Sequence, residues 1–274
     1  MKLNRLSKVA LVATAAAGLF AGSVVPANAA TRSTVVIVTS NALTTLNITG
    51  VTAKVSAGLP GATATVTGTV TSDAGAHDVT ITGVAATSKL SANMNAGNDT
   101  VRISTIAATH TINGGDGTDT LVAGTAISAT TGANISGFEA VSTGAFAVAL
   151  PTGNLINAVT FTGTGGSVST VLSGATVTQT AATSTNTVSN TAWTTGTADA
   201  LTLNVGSATV GGAVTAGLTA EGIESITINN STLSTDTTSA RVLTVTQATS
   251  TLKSVIVSGT QPTTLTADQT TLTS

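Results

Sequence analysis

The chain of 274 residues has no cysteine and no tyrosine, one tryptophan, four phenylalanines and two histidines. Without cysteine, neither a disulfide staple nor a thiolate metal centre stabilises it. With so few rings, the core must be built from Val, Ile, Leu, Ala and Thr methyl groups, because the side chains that dominate many compact cores are missing. A regular stack of thin layers suits such small fillers. Charge is scarce too: 7% of residues are Asp, Glu, Lys or Arg, against about 25% in ordinary soluble domains. That scarcity argues against a solvated, disordered chain.

The first thirty residues read as an export signal. Lys2, Arg5 and Lys8 precede an uncharged apolar run from Val9 to Val25, and Pro26 to Ala30 place small residues at the cleavage positions. The run is short of the roughly 20 residues that cross a bilayer, so no membrane span is expected after cleavage. Cleavage removes three of the nine basic residues and none of the eleven acidic ones, leaving a net charge near −5. Such a surface excludes phosphate-bearing partners, nucleic acid and anionic lipid alike, and suits divalent cations. The expected localisation is secreted, at the cell surface.

Strand signals fill the rest. From Ala62 to Thr71, Thr alternates with Ala, Val and Gly, which puts Thr on one face and small residues on the other. Short β-branched runs such as Thr34 to Val38, Val101 to Ile103, Leu201 to Val205 and Ile223 to Ile228 are bounded by Gly, Asn, Asp or Ser. The fold class expected is all-β, a right-handed parallel β-solenoid or β-roll with short strands rich in Thr, Ala and Val.

Internal repetition supports the solenoid. Asp78, Asp99 and Asp119 each follow a glycine by two or three residues and precede an apolar residue, at intervals of 21 and 20, about one coil of two strands and two turns. A longer repeat relates residues 117–141 to 196–226, with Gly137-Phe138-Glu139 matched by Gly222-Ile223-Glu224, 85 residues on. The segments expected are 1–30 (signal), 31–72 (N-terminal β), 73–145 (β-roll coils) and 146–274 (solenoid continuation). Within the last, the Thr/Ser-rich stretch 179–197 is expected as a loosely ordered loop. The sequence stops at Thr270 to Ser274 inside strand-like residues, as expected of an N-terminal fragment or of a coil that pairs with another chain.

One turn carries chemistry. Gly114-Gly115-Asp116-Gly117-Thr118-Asp119-Thr120-Leu121-Val122 fits G-G-x-G-x-D-x-U-x throughout. The glycines let the backbone turn carbonyl oxygens inward, and Asp119 adds a carboxylate. Calcium takes six to eight oxygens, so a stacked neighbour must contribute; the half repeat at Gly97-Asn98-Asp99 offers Asp99 and Asn98. This segment resembles the RTX (repeats-in-toxin) nonapeptides, which form a parallel β-roll binding calcium between turns. The resemblance implies ligands at Asp99 and Asp119 and at the carbonyls of Gly97, Gly115 and Gly117, with Asp116 a second choice. Together with the segments 135–141, 221–226 and 251–259, the chain is similar to calcium-dependent bacterial surface-layer proteins. The partners expected are like subunits, by self-assembly, with a cell-envelope glycan as a further candidate.

The plainer readings are a hairpin turn at Asp116-Gly117, an ion pair of Asp99 with Arg102, and coil-capping roles for Glu139 and Glu224. No hydrolase or zinc-protease motif occurs, and His77 and His110 read as exposed turn or strand residues, so no enzyme is expected. The competing function is a surface adhesin for a carbohydrate, a host or ice. Ice binding needs threonine pairs recurring at the coil period on one face, and no such regularity is visible along the sequence.

Overall fold

A computed structural model of the chain describes residues 74–82, 89–206, 213–230, 240–248 and 251–268, and before residue 74 only the backbone of six strands. The basic residues 1–8 and the cleavage segment 26–30 lie outside the described residues. The chain divides into two compact units, 1–125 with 130–138 and 126–129 with 139–274. The dividing point between these units falls near Phe138.

In the first unit, strands follow in the order β1 (Val12–Thr14), β2 (Gly22–Val24), β3 (Thr34–Thr39), β4 (Thr45–Ile48), β5 (Ala53–Gly58), β6 (Thr67–Thr71), β7 (Asp78–Thr82), β8 (Lys89–Asn93), β9 (Thr100–Ile103), β10 (Thr111–Asn113), β11 (Thr120–Ala123) and β12 (Ile135–Ser136). Odd strands pair only with odd and even only with even, always parallel. Two successive strands thus make one coil of a β-solenoid, the fold expected. β1 and β2, inside the expected signal, pair with β3 and β4.

The second unit repeats the scheme with β13 (Ala140–Thr143), β14 (Ala147–Val148), β15 (Ile156–Phe161), β16 (Ser167–Ser169), β17 (Val171–Gln179), β18 (Thr183–Ser189), β19 (Ala200–Val205), β20 (Val214–Ala220), β21 (Ser225–Asn229), β22 (Arg241–Thr246), β23 (Ser254–Ser258) and β24 (Thr263–Asp268). Its odd and even strands again form separate parallel sheets. No α-helix occurs among the described residues; the one helical element is the 3-10 turn Thr191–Thr194.

Most strands are short, with two or three inward residues to a layer, while the longer β17 and β20 bury at least four. Val79, Val101 and Leu121 align in register, as do Ile81, Ile103 and Ala123, and all six are buried. In the second unit Val159, Val177, Leu203 and Ile228 form the equivalent ladder. Each buried Val, Leu or Ile contributes about 1.5–3 kcal/mol, so the stack gains stability coil by coil. Three of the scarce rings are spent inside, Phe138, Phe161 and Trp193, whereas Phe146 is 38% exposed.

The stretch 179–197 is not a loop. It carries the end of β17, all of β18 and the 3-10 turn, because Thr183-Ser184-Thr185-Asn186-Thr187-Val188-Ser189 alternates with Ser184, Asn186 and Val188 inward. The polar pair is satisfied: Ser184 Oγ donates to Gln179 Oε1 at 2.6 Å, and Asn186 Oδ1 accepts the Gly166 amide at 2.9 Å. Composition suggested a loop where period two specifies a strand.

Candidate functional site

The calcium-type turn and its half repeat are consecutive corners on one edge of the first unit. Residues 94–99 lead from β8 into β9, and residues 114–119 lead from β10 into β11. They stack directly: the Asp116 amide donates to Asn95 O at 2.7 Å and the Gly97 amide to Asp116 O at 2.9 Å. Glycine is required by this closeness. A Cβ on Gly115 (φ +104°) would lie 1.8 Å from Asn95 O, and one on Gly117 (φ +144°) 1.9 Å from Gly97 O. The spacing that matches the nonapeptide therefore records how closely one corner's carbonyls overlie the next.

The carboxylates point into the stack. Asp99 and Asp119 are buried, and each Oδ1 accepts an amide from the coil before it: Asp119 Oδ1 from the Asp99 amide at 2.7 Å, Asp99 Oδ1 from the His77 amide at 2.7 Å. His77 Nδ1 also lies 3.0 Å from Asp99 Oδ1. Asn98 runs the other way, its Oδ1 accepting the Thr118 amide at 3.0 Å. Asp116 and Asn98 are exposed at the corner, Gly97 and Gly115 half-buried, and Gly117 exposed. All seven sequence-predicted residues thus lie in two adjacent layers.

The register corrects two expectations. Asp78 aligns with Thr100, so the column that Asp99 and Asp119 continue begins at His77, one residue earlier than the aspartate spacing suggests. Arg102 pairs with Asp78 at 2.9 Å, leaving Asp99 to the ladder. The histidines are not exposed either: His77 is 3% and His110 0% exposed, and His110 Nδ1 accepts the Ala107 amide at 3.2 Å.

The ladder recurs in the second unit. Glu224, 6% exposed, accepts the Asp199 amide on Oε2 at 2.7 Å, the capping role expected of it. Gly137 and Gly222 both have positive φ (+68° and +82°), followed by buried Phe138 and Ile223 and then an acid. The signature shared by Gly97-Asp99, Gly117-Asp119 and Gly222-Glu224 is Gly-x-(Asp or Glu)-x-aliphatic: a glycine of positive φ, then a side chain that caps the preceding coil.

Sequence reasoning missed a second ladder beside this one. Asn113 Nδ2 donates to Asn93 Oδ1 at 3.2 Å and Ser136 Oγ to Asn113 Oδ1 at 3.3 Å, three residues in register at the ends of β8, β10 and β12. Its signal was the asparagine closing β8 and β10 just before each turn.

Among the described residues, no group of three or more His, Cys, Asp and Glu side chains converges as a metal site. The donors in these two corners are hard oxygens, two buried carboxylates and the corner carbonyls, a donor set whose chemistry suits calcium better than a softer metal. Comparison with family models, with curated proteins and with solved structures gave no match.

Proposed function

We propose that the chain is a structural protein of the bacterial cell surface, a calcium-stabilised component of a surface layer or extracellular matrix related in design to RTX-like surface-layer proteins. The observation that supports this best is the direct stacking of the corners at 95–99 and 114–119 with two buried carboxylates between layers. Asp99 and Asp119, with the carbonyls of Gly97, Gly115 and Gly117, hold the ion, and Asp116 and Asn98 complete its shell from the exposed side. The protein's part is to fix carbonyls and carboxylates in neighbouring coils. Bound calcium offsets the like charges of Asp99, Asp116 and Asp119, so binding energy becomes folding energy.

An affinity of about 10⁻⁴ to 10⁻³ M saturates such a site outside the cell. The chain is exported by its N-terminal signal, assembles with copies of itself, and anchors to an envelope glycan. The test is circular dichroism and sedimentation of the secreted chain with millimolar calcium and with chelator. Calcium should raise the β-signal and drive assembly into large species. Superimposable spectra and unchanged sedimentation would remove calcium from the proposal.

A further inference from the structure

The even sheet of the second unit presents an ordered array that the sequence conceals. Thr187 in β18, Thr219 in β20 and Thr246 in β22 occupy one outward column, in register strand by strand. Beside it run Thr185, Gly217, Thr244 and Thr266, again in register across β18, β20, β22 and β24. A third column holds Thr183, Thr215, Val242 and Thr264. The pairings show no register shift, unlike β15 with β17. Gly217 leaves no hole, since a Cβ there would meet Thr185 Oγ1 at 3.2 Å.

The chemistry of this face narrows its partner. Apart from Asp268, which holds the register position next to Thr246 on β24, none of these positions is charged or aromatic, and Arg241 on β22 points inward, 0% exposed. Nucleic acid needs cations, and protein interfaces draw on aromatic residues, Met and Arg for their strong contacts. An interfacial membrane face needs large apolar groups and basic residues. What remains is a threonine, with its hydroxyl and methyl group, at nine of the twelve points of a grid.

The grid spacing follows from parallel pairing: about 4.8 Å between strands and about 6.6 Å between alternate residues along one. Each hydroxyl contributes only about 1 kcal/mol, so useful affinity requires many to engage at once, on a partner that repeats at the same intervals. The strand interval is close to the repeat of water oxygens along the a axis of hexagonal ice.

The geometry points to an ice-binding face formed by the outward threonines of β18, β20, β22 and β24. It stands apart from the calcium reading, since every residue in it belongs to the second unit. The fluorescently labelled chain is offered to a slowly growing ice hemisphere, and thermal hysteresis is measured on the same samples. Wild type enters the ice. Thr219→Lys, on one of the two inner strands of the grid, cuts incorporation at least tenfold with an unchanged circular dichroism spectrum; the milder Thr219→Val, which keeps the β-branched shape, covers the case in which lysine prevents folding. Thr227→Lys, outward on β21 in the other sheet, incorporates as wild type does. Exclusion of the folded wild type from ice overturns the assignment, as does retention by both Thr219 variants. Loss through Thr227→Lys alone, or binding to insoluble neutral polysaccharide without entry into ice, overturns it equally.

Discussion

Replacing Asp119 separates the two roles of its carboxylate. Asp119 is 0% exposed and its Oδ1 accepts the Asp99 amide at 2.7 Å, so Asp119→Ala leaves a buried N–H without an acceptor. The desolvation cost of such a group is about 1–3 kcal/mol. With a urea slope of about 2 kcal/mol/M, a 2 kcal/mol loss lowers the unfolding midpoint by about 1 M. Asp119→Asn keeps an oxygen where Oδ1 stands but loses the charge. In chelator it should therefore lose at most half of what alanine loses. Calcium separates the variants a second time: at ten times its Kd the ion adds about 1.4 kcal/mol to the wild type and next to nothing to either variant. The assay is urea unfolding followed by far-ultraviolet circular dichroism, each variant with and without the ion. An alanine variant as stable as wild type in chelator would refute the backbone-ladder role. An asparagine variant that gains as much from calcium as wild type would refute ligation by Asp119.

Three further outcomes follow from the packing. Gly115→Ala should cost over about 4 kcal/mol, among the largest single-residue effects, because its Cβ would overlap Asn95 O and only separating two coils relieves that; its purified yield and melting temperature are the readout. Gln247→Ala should cost about 2–4 kcal/mol: Nε2 donates to Ala220 O and Ile223 O, Oε1 accepts from the Leu252 amide and Thr251, and the loss shows in the fluorescence of the sole tryptophan, Trp193, in the same unit. Arg102→Ala should cost less than about 0.5 kcal/mol by thermal melting, since its partner Asp78 is solvent-accessible and the arginine side chain is 44% exposed.

The solenoid was legible because its cause is local. Period-two alternation between Gly, Asn and Asp corners specifies short strands, and the shortage of rings leaves little but thin layers to fill. The glycines at 97, 115 and 117 were legible for the same reason, as their positive φ belongs to the corner itself. What the sequence hid was register. Thr187 and Thr219 are neighbours in one column although 32 residues separate them, while Thr219 and Thr246 are 27 apart. Corners of unequal length destroy any fixed period without disturbing the pairing. The same effect shifted the column start from Asp78 to His77. Loop composition misled at 179–197, where Ser and Asn face inward because the neighbouring corner supplies their hydrogen-bond partners.

Unequal corners also set how such a chain can change over time. Residues inserted between two strands of one coil leave the hydrogen-bonded ranks above and below aligned, since pairing runs across coils and ignores the path that joins them. Growth along the axis is quantised, one whole coil at a time, whereas growth sideways is continuous. A lineage built this way can acquire long lateral decorations freely, yet can lengthen its shaft only by duplicating a complete rung.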